Sequence, residues 1–459
     1  MSRWSPFDFV GGAYSDDTRP FSVQDTVNYM VVPAEKAGTR APAVLRCCPG
    51  LSDLVDTGTG AAIRGIHNAE GVLLVVAGTT LFRIDTKLNV HPVGTVPGVG
   101  RVSMAHNQIT GGNQVAIANG QSGYVFNTKD NSFVQITDDG FPGAITFAYA
   151  DSYILGIEPG RRFGFTSDLA NALSYNTLDQ YEAESSPDAL VGQGVIFREW
   201  WMFGERTVEI WANTGAETGT WQRTPGTGME VGAASPWCIS NLDNSIFWLG
   251  SDGVVYRANG YSPQRISTFP IEQAISRCTL NTAFSFTYED RGHKVFYLTL
   301  LDGHTWGYDV ASQEWHRRES FDLSRWRLSD LVKWNGKWVG GDYVNGKLYE
   351  LDWDVQTESA DPLVRRRVTG VTQDAQNALI VQGLALVIDT GQPVKGAKVL
   401  PPPFLLKGAL PGAITGEPYS GRLVASGGRD PITWSITTGA LPPGLAIDPS
   451  TGIISGTPT

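Results

Sequence analysis

Cysteine is scarce in this chain, and its few residues fall into no pattern. The four are Cys47, Cys48, Cys238 and Cys278. Neighbours on a strand point to opposite faces, so Cys47 and Cys48 cannot share one metal or bridge easily. No CxxC spacing occurs, which argues against a metal site and for reduced thiols in a protein made in the cytoplasm. Long apolar runs are missing too: none approaches the roughly 20 residues of a membrane helix. The start, Met1-Ser2-Arg3-Trp4-Ser5-Pro6, lacks the apolar core of a signal peptide. Positive charge is short as well, with 35 Lys and Arg against 46 Asp and Glu, a net charge of −11. That excludes phosphate neutralisation as the dominant design. Two readings of the acidity stay open: a conduit surface that repels nucleic acid, and plain solubility.

Catalytic patterns are equally sparse. The six histidines (His67, His91, His106, His293, His304, His316) show no HxxxH or HExxH spacing, so metal ligation and a His-based triad find little support. There is no GxSxG elbow and no Walker loop, and Gly226-Thr227-Gly228 lacks the third glycine of a dinucleotide fingerprint. Glu199, Glu205 and Glu209, or Asp151 and Glu158, are candidates to flank a sugar as acid and nucleophile, against the commoner role of solvated loop acids. Trp200, Trp201, Trp211 and Trp221 suit a core or interface better than a sugar platform. No catalytic, cofactor-binding or metal-binding residue is assigned.

What the chain has in quantity is glycine (53) and aromatics (14 Trp, 15 Tyr, 19 Phe), a bias toward strands and tight turns. Leu81-Phe82-Arg83-Ile84-Asp85, Tyr124-Val125-Phe126-Asn127 and Trp306-Gly307-Tyr308-Asp309 repeat one plan. In each an apolar strand ends at Asp or Asn, and a second strand starts soon after, at Val90, Phe133 and Trp315. The plan extends over Ile63–Val96, Val102–Thr137, Ile145–Leu178, Ala189–Arg223, Ala233–Ile266, Phe284–Arg318 and Arg327–Asp352. Turn dipeptides such as Asn335-Gly336 and Asn345-Gly346 punctuate it, as two-residue type I′ hairpins require. Strand-and-turn repeats of this length cannot bury an apolar face alone and must stack. The fold class is therefore all-β: an irregular β-propeller of about seven blades, with six or eight acceptable. A β-sandwich with unrelated hairpins is the competing reading.

The expected organisation has four parts. Residues 1–62 form N-terminal strands and an irregular platform, with Val27–Val32 pairing Ala43–Cys48. Residues 63–354 form the propeller. Residues 355–400 hold an extra strand pair, from Val364–Val368 and Leu379–Asp389, and a Pro-rich linker ending in Pro401-Pro402-Pro403. Residues 401–459 form an Ig-like β-sandwich module, read as incomplete.

The last part carries the more specific likeness. Pro431-Ile432-Thr433-Trp434, Leu441-Pro442-Pro443-Gly444-Leu445 and Gly452-Ile453-Ile454-Ser455-Gly456-Thr457-Pro458 resemble the Ig-like repeat of bacterial surface and phage proteins. Such repeats continue for one or two more strands, so the stop at Thr459 reads as truncation. The body resembles the tail nozzle proteins of short-tailed phages (podoviruses), also called packaged-DNA stabilisation proteins. The likeness rests on the order of the Asn28-Tyr29 strand, the Leu45-Arg46…Pro49-Gly50-Leu51 turn, the propeller-like middle and the Arg365-Arg366-Arg367 strand before Gly391. It implies a non-enzymatic virion protein made in the host cytoplasm, a homohexameric tube below portal and adaptor. Such a tube would contact spike or fibre and any tail needle, and would pass double-stranded DNA without reading its sequence. The Ig appendage is a departure that leaves the peripheral partners open.

Arg365, Arg366 and Arg367 are the densest basic run, followed by Arg317-Arg318 and Arg325-Trp326-Arg327. In an acidic protein they are expected to pair with acids of a neighbouring subunit first, and to grip DNA phosphate second. The rival function from another class is a propeller glycosidase or lectin with an Ig-like appendage.

Overall fold

The repeat units share a local logic. An inner strand turns into a second strand, and in all but the last unit a third strand turns again into a fourth. In six units the first hairpin is closed by two residues with positive φ: Glu70-Gly71, Asp151-Ser152, Phe197-Arg198, Asp243-Asn244, Arg291-Gly292 and Asn335-Gly336. That is the twist-matched type I′ geometry. In five units an Asp or Asn closes the third strand by accepting a backbone N–H two residues on: Asp85, Asn127, Asn213, Asp309 and Asp352. The acid or amide that marks each repeat is thus the turn's own hydrogen-bond acceptor.

The computed structural model describes residues 9–14, 23–36, 42–216, 219–370, 405–407, 412–426, 433–436 and 440–459. They divide into two compact units, Met1–Leu379 and Ile380–Thr459. The first is a seven-bladed propeller. Its inner strands are Ile63–Ala69, Ser103–His106, Phe147–Ala150, Leu190–Ile196, Ile239–Leu242, Phe284–Asp290 and Leu328–Trp334. Each lies against the next, and the seventh lies against the first, so the wheel closes. Blades 1 to 5 are four-stranded and contiguous in the chain, whereas blades 6 and 7 have six strands each.

Second strands such as Val72–Ala77 and Ser245–Leu249 are buried almost throughout. A blade is covered on both faces by its neighbours, so its middle reads as a continuous apolar run rather than an alternation. Each fully buried Val, Leu or Phe there contributes about 1.5–3 kcal/mol.

Polar ties stitch the inner strands together. Gln193 donates to the Thr146 carbonyl, Asn241 to the Val195 carbonyl, Asn68 to the Lys333 carbonyl, and Ser240 bonds Ser285. His67 Nε2 and His106 Nδ1 meet at 2.8 Å between blades 1 and 2. Arg101, from the link into blade 2, reaches the inner strands of blades 6 and 7. It donates to the Ser329 carbonyl and stacks 4.3 Å from the Phe284 ring centre.

Two expectations about the flanks need revision. Gly50–Asp56, placed with the N-terminal platform, is the fourth strand of blade 7, antiparallel to Lys347–Asp352. The wheel is closed by this early strand, so a boundary at residue 62 cuts through a blade. Arg366–Val368, placed outside the ring, pairs with Asp25–Val27, which in turn lies parallel to the outer strand of blade 6. The hairpin of Tyr29–Pro33 with Ala43–Cys47 forms as read. Leu379–Asp389 and the Pro-rich spacer lie outside the described residues.

In the second unit, Leu445–Ile447 and Ile453–Gly456 form a hairpin, and Tyr419–Arg422 pairs with the latter strand. Gly452 takes φ +69 at the turn, and Ile454 is buried.

A candidate assembly seam on blades six and seven

The seven arginines singled out by sequence gather where both flanks of the propeller are sewn into blades 6 and 7. In the outer strand of blade 6, Glu314–Arg318, Trp315, His316 and Arg318 are all buried, while Arg317 is partly exposed and reaches Asp25 on the added strand. Asn28 organises the joint. It kinks the chain at φ +59, between Asp25–Val27 and Tyr29–Pro33. Its side chain donates to the carbonyls of Glu319 and Val364 and accepts from the Glu319 N–H. Asn tolerates the left-handed region better than other non-glycine residues, which suits it to this position.

Arg318 is fully buried. It donates to Asn28 Oδ1 and to the Pro49 carbonyl, lies 3.6 Å from Glu358, and stacks over Trp326 at 4.5 Å. Glu358 accepts from the Trp326 indole at 2.9 Å. One guanidinium therefore ties the N-terminal flank, blade 6 and the C-terminal flank. A buried pair of this kind is weak as net stabilisation but costly to break, so it specifies register.

The other six are partnered as well. Arg317 pairs with Asp25 at 2.7 Å and Glu319 at 3.2 Å. Arg366 pairs with Asp25 at 3.2 Å. Arg367 donates to the carbonyls of Phe9 and Gly12 and to Thr26 and Gln24. Arg327 bridges Asp342 and Asp361, both at 3.1 Å. Arg325 stacks on Tyr343 at 3.8 Å, and burial lowers its pKa. Arg365 donates to Gln356 Oε1 and the Leu363 carbonyl. Only Arg366 is exposed, at 51%. The arginines expected to pair with a neighbouring subunit, or to grip DNA, are spent largely within the chain, and Arg318 is buried.

The enzymatic candidates do not converge. Glu209 is buried and accepts from the backbone N–H groups of Glu184 and Ser185. Glu199 accepts from the Tyr261 hydroxyl, and Glu158 pairs with Arg161. Asp151 is held by Arg198 in a cleft of about 600 Å³ between the hairpin tips of blades 3 and 4. Among the described residues it is the one carboxylate lining that cleft. Trp200, Trp201 and Trp221 are core residues, with Trp211 packed against them. The histidine contacts were invisible in sequence. His293 bonds Asp309 at 2.6 Å, and His316 is buried edge-on against Tyr297. Burial holds both His67 and His316 down to about 3. Among the described residues no group of three or more potential ligands could hold a metal ion. No helix among them is long and apolar enough to cross a membrane.

A closed wheel whose polar chemistry is consumed in joining strands defines a scaffold class of propeller. The chain belongs to the Phage_stabilise family, described as bacteriophage P22 Gp10, β-propeller, which it matches over residues 6–356. Residues 402–459 match the He_PIG family of Ig domains. The chain is 25% identical over 320 residues to the tail hub protein gp10 of Salmonella phage P22. The match covers 63% of this chain and 62% of that protein's length. Among solved structures it is similar to virginiamycin B lyase from Staphylococcus aureus, at TM-score 0.47 and 10% identity over 66% of this chain and 98% of the other. It is also similar to the computationally designed Ika8 protein, at 0.40 and 12% over 66% and 99%. These last two likenesses are too slight to bear on function.

Proposed function

We propose that the chain is a structural, non-enzymatic subunit of a phage tail hub. Copies associate, as a homohexamer, into a nozzle below the portal and adaptor that retains packaged DNA and gives it passage into the host. The observation that carries this reading is the sealed wheel. Both flanks are stapled into blades 6 and 7 through Asn28 and Arg318, giving a stiff wall element. In this reading DNA passes between copies rather than through one wheel. The net charge of −11 suits a wall along which DNA slides without sticking. Spike or fibre, and a tail needle where one is present, are the chain's expected peripheral partners.

The test is genetic and microscopic. Particles made without this chain are expected to package DNA and then lose it, and antibody against the chain should label the tail vertex. A chain absent from purified particles, or particles that keep their DNA without it, would contradict the reading.

A further inference from the structure

Two patches of opposite net charge lie on opposite sides of the wheel, one with two arginines to a single carboxylate and one with two carboxylates. At blades 6 and 7, the Arg46 guanidinium sits 4.3 Å from the Trp353 ring centre, and Arg291 sits 5.4 Å from the same centre. The two cations are thus within about 10 Å of each other, inside the range where salt leaves repulsion felt. Among the described residues neither forms an ion pair with a carboxylate. The acid touching Trp353 is Asp290, already accepting from that indole and from the Tyr288 hydroxyl. Stacking holds a guanidinium by its face and leaves its N–H edge for an acceptor.

The opposite cluster is on blade 3. Its outer strand, Asn171–Glu182, slips register: Ser167 pairs with Tyr175, but Phe165 pairs with Gln180, so residues 176–179 bulge outward. Asn176 Oδ1 accepts the Leu178 N–H and shapes the bulge, leaving Leu178 80% exposed. Asp179 follows it, and Asp168 closes the adjacent strand. Burial and Asp168 both push the Asp179 carboxyl up. Asp168 accepts from Ser174, and no described cation pairs with either acid.

Arg291 lies at the inner–second hairpin of blade 6, Trp353 just past the end of the third strand of blade 7, and Asp168 at the third–outer hairpin of blade 3. Antiparallel blades put these strand ends on one face, so the clusters face the same way across the ring. We propose that the Arg46–Trp353–Arg291 stack of one copy seats on the Asp168–Asp179 bulge of a second copy. The contact is heterologous, the kind that generates closed rings. Arg and Trp are the residues that dominate such interfaces, and Leu178 supplies an apolar anchor. Copies that each carry −11 repel at long range, so association needs a local complementary contact of this sort.

This inference rests on the assembly reading above, and sedimentation velocity of the full chain tests it separately. Wild-type protein should form oligomers. R46E/R291E and D168K/D179K should each lose at least tenfold in association constant while keeping the monomer's circular dichroism. Mixing the two variants should restore assembly, because the new acids meet the new lysines and the untouched patches still match; a folding defect would not be rescued. Wild-type protein that stays monomeric, variants that assemble like wild type, or a mixture that stays apart overturns the contact. So does loss of duplex DNA binding by R46E/R291E with assembly intact, which would assign the arginines to phosphate. None of these outcomes touches the tail-labelling test.

Discussion

Blades 1 to 5 and blades 6 to 7 solve the same problem in different ways. Each of the first five is a local meander, complete within one stretch of chain. The last two are assembled from three distant segments: the early strands Asp25–Val27 and Gly50–Asp56, the contiguous meanders, and the late strands from Thr357 to Val368. Local blades hold by hydrophobic stacking and turn chemistry. Buried polar ties such as Arg64 and Glu209 occur in local blades too, but the composite blades add the fully buried Arg318–Glu358 pair, because strands brought from afar need their register specified. The lesson is that closure is where this wheel buries an arginine–carboxylate pair.

Breaking the composite side should have the largest effect. Arg318→Met leaves Glu358 buried without its cation and is expected to cost about 3–5 kcal/mol, read as a fall in the urea midpoint. Adding Glu358→Leu should recover much of that loss, whereas equal loss in single and double variants would show that the pair does not act as a unit.

Acid probes both sides at once. His67, between local blades 1 and 2, and His316, in composite blade 6, are held neutral at about 3 against an unfolded value near 6.5. Below pH 6.5 the unfolded chain binds the extra protons, so stability present at neutral pH drains away as pH falls toward 3. The expected loss is on the order of 3 kcal/mol per histidine between pH 6.5 and 4. His316→Gln should flatten the denaturation curve measured over that range.

A smaller effect is expected at Gly307, where an added Cβ would lie 2.6 Å from the His316 ring and 2.7 Å from Tyr297. Gly307→Ala should cost about 1–3 kcal/mol through overpacking. The smallest effect has the opposite sign. In blade 4, Phe197 and Arg198 occupy the left-handed positions that the other blades give to Gly, Asn, Asp or small residues at one or both places. Replacing the pair by Asn-Gly should stabilise by roughly 1–2 kcal/mol, seen as a raised midpoint. No gain would mean that loss of the Arg198–Asp151 pair offsets the relief of backbone strain.

The same division decides what the sequence could reveal. Local hairpins were legible because turn residues such as Asn335-Gly336 and closing residues such as Asp85 and Asp309 act within a few residues of themselves, although Asn345-Gly346 does not take the type I′ geometry expected of it. All seven units fall on the seven blades. The closing strand Gly50–Asp56 was not legible, since its partner lies almost 300 residues away and its own pattern announces no register. The seven arginines were visible as residues, but their use was not. Nothing near Arg318 in the chain predicts Asn28, Pro49 and Glu358 as its neighbours. Histidines 39 residues apart gave no spacing signal, yet adjacent blades bring His67 and His106 into contact.

The account depends on an early strand that locks the wheel shut. Amide hydrogen exchange of the full chain, resolved over Gly50–Asp56, tests this most directly. Those amides should be protected as strongly as Lys347–Asp352 and should lose protection with them in one cooperative step. Free exchange in Gly50–Asp56 while Lys347–Asp352 stays protected would mean that blade 7 stands without it, and that the ring is not closed as described.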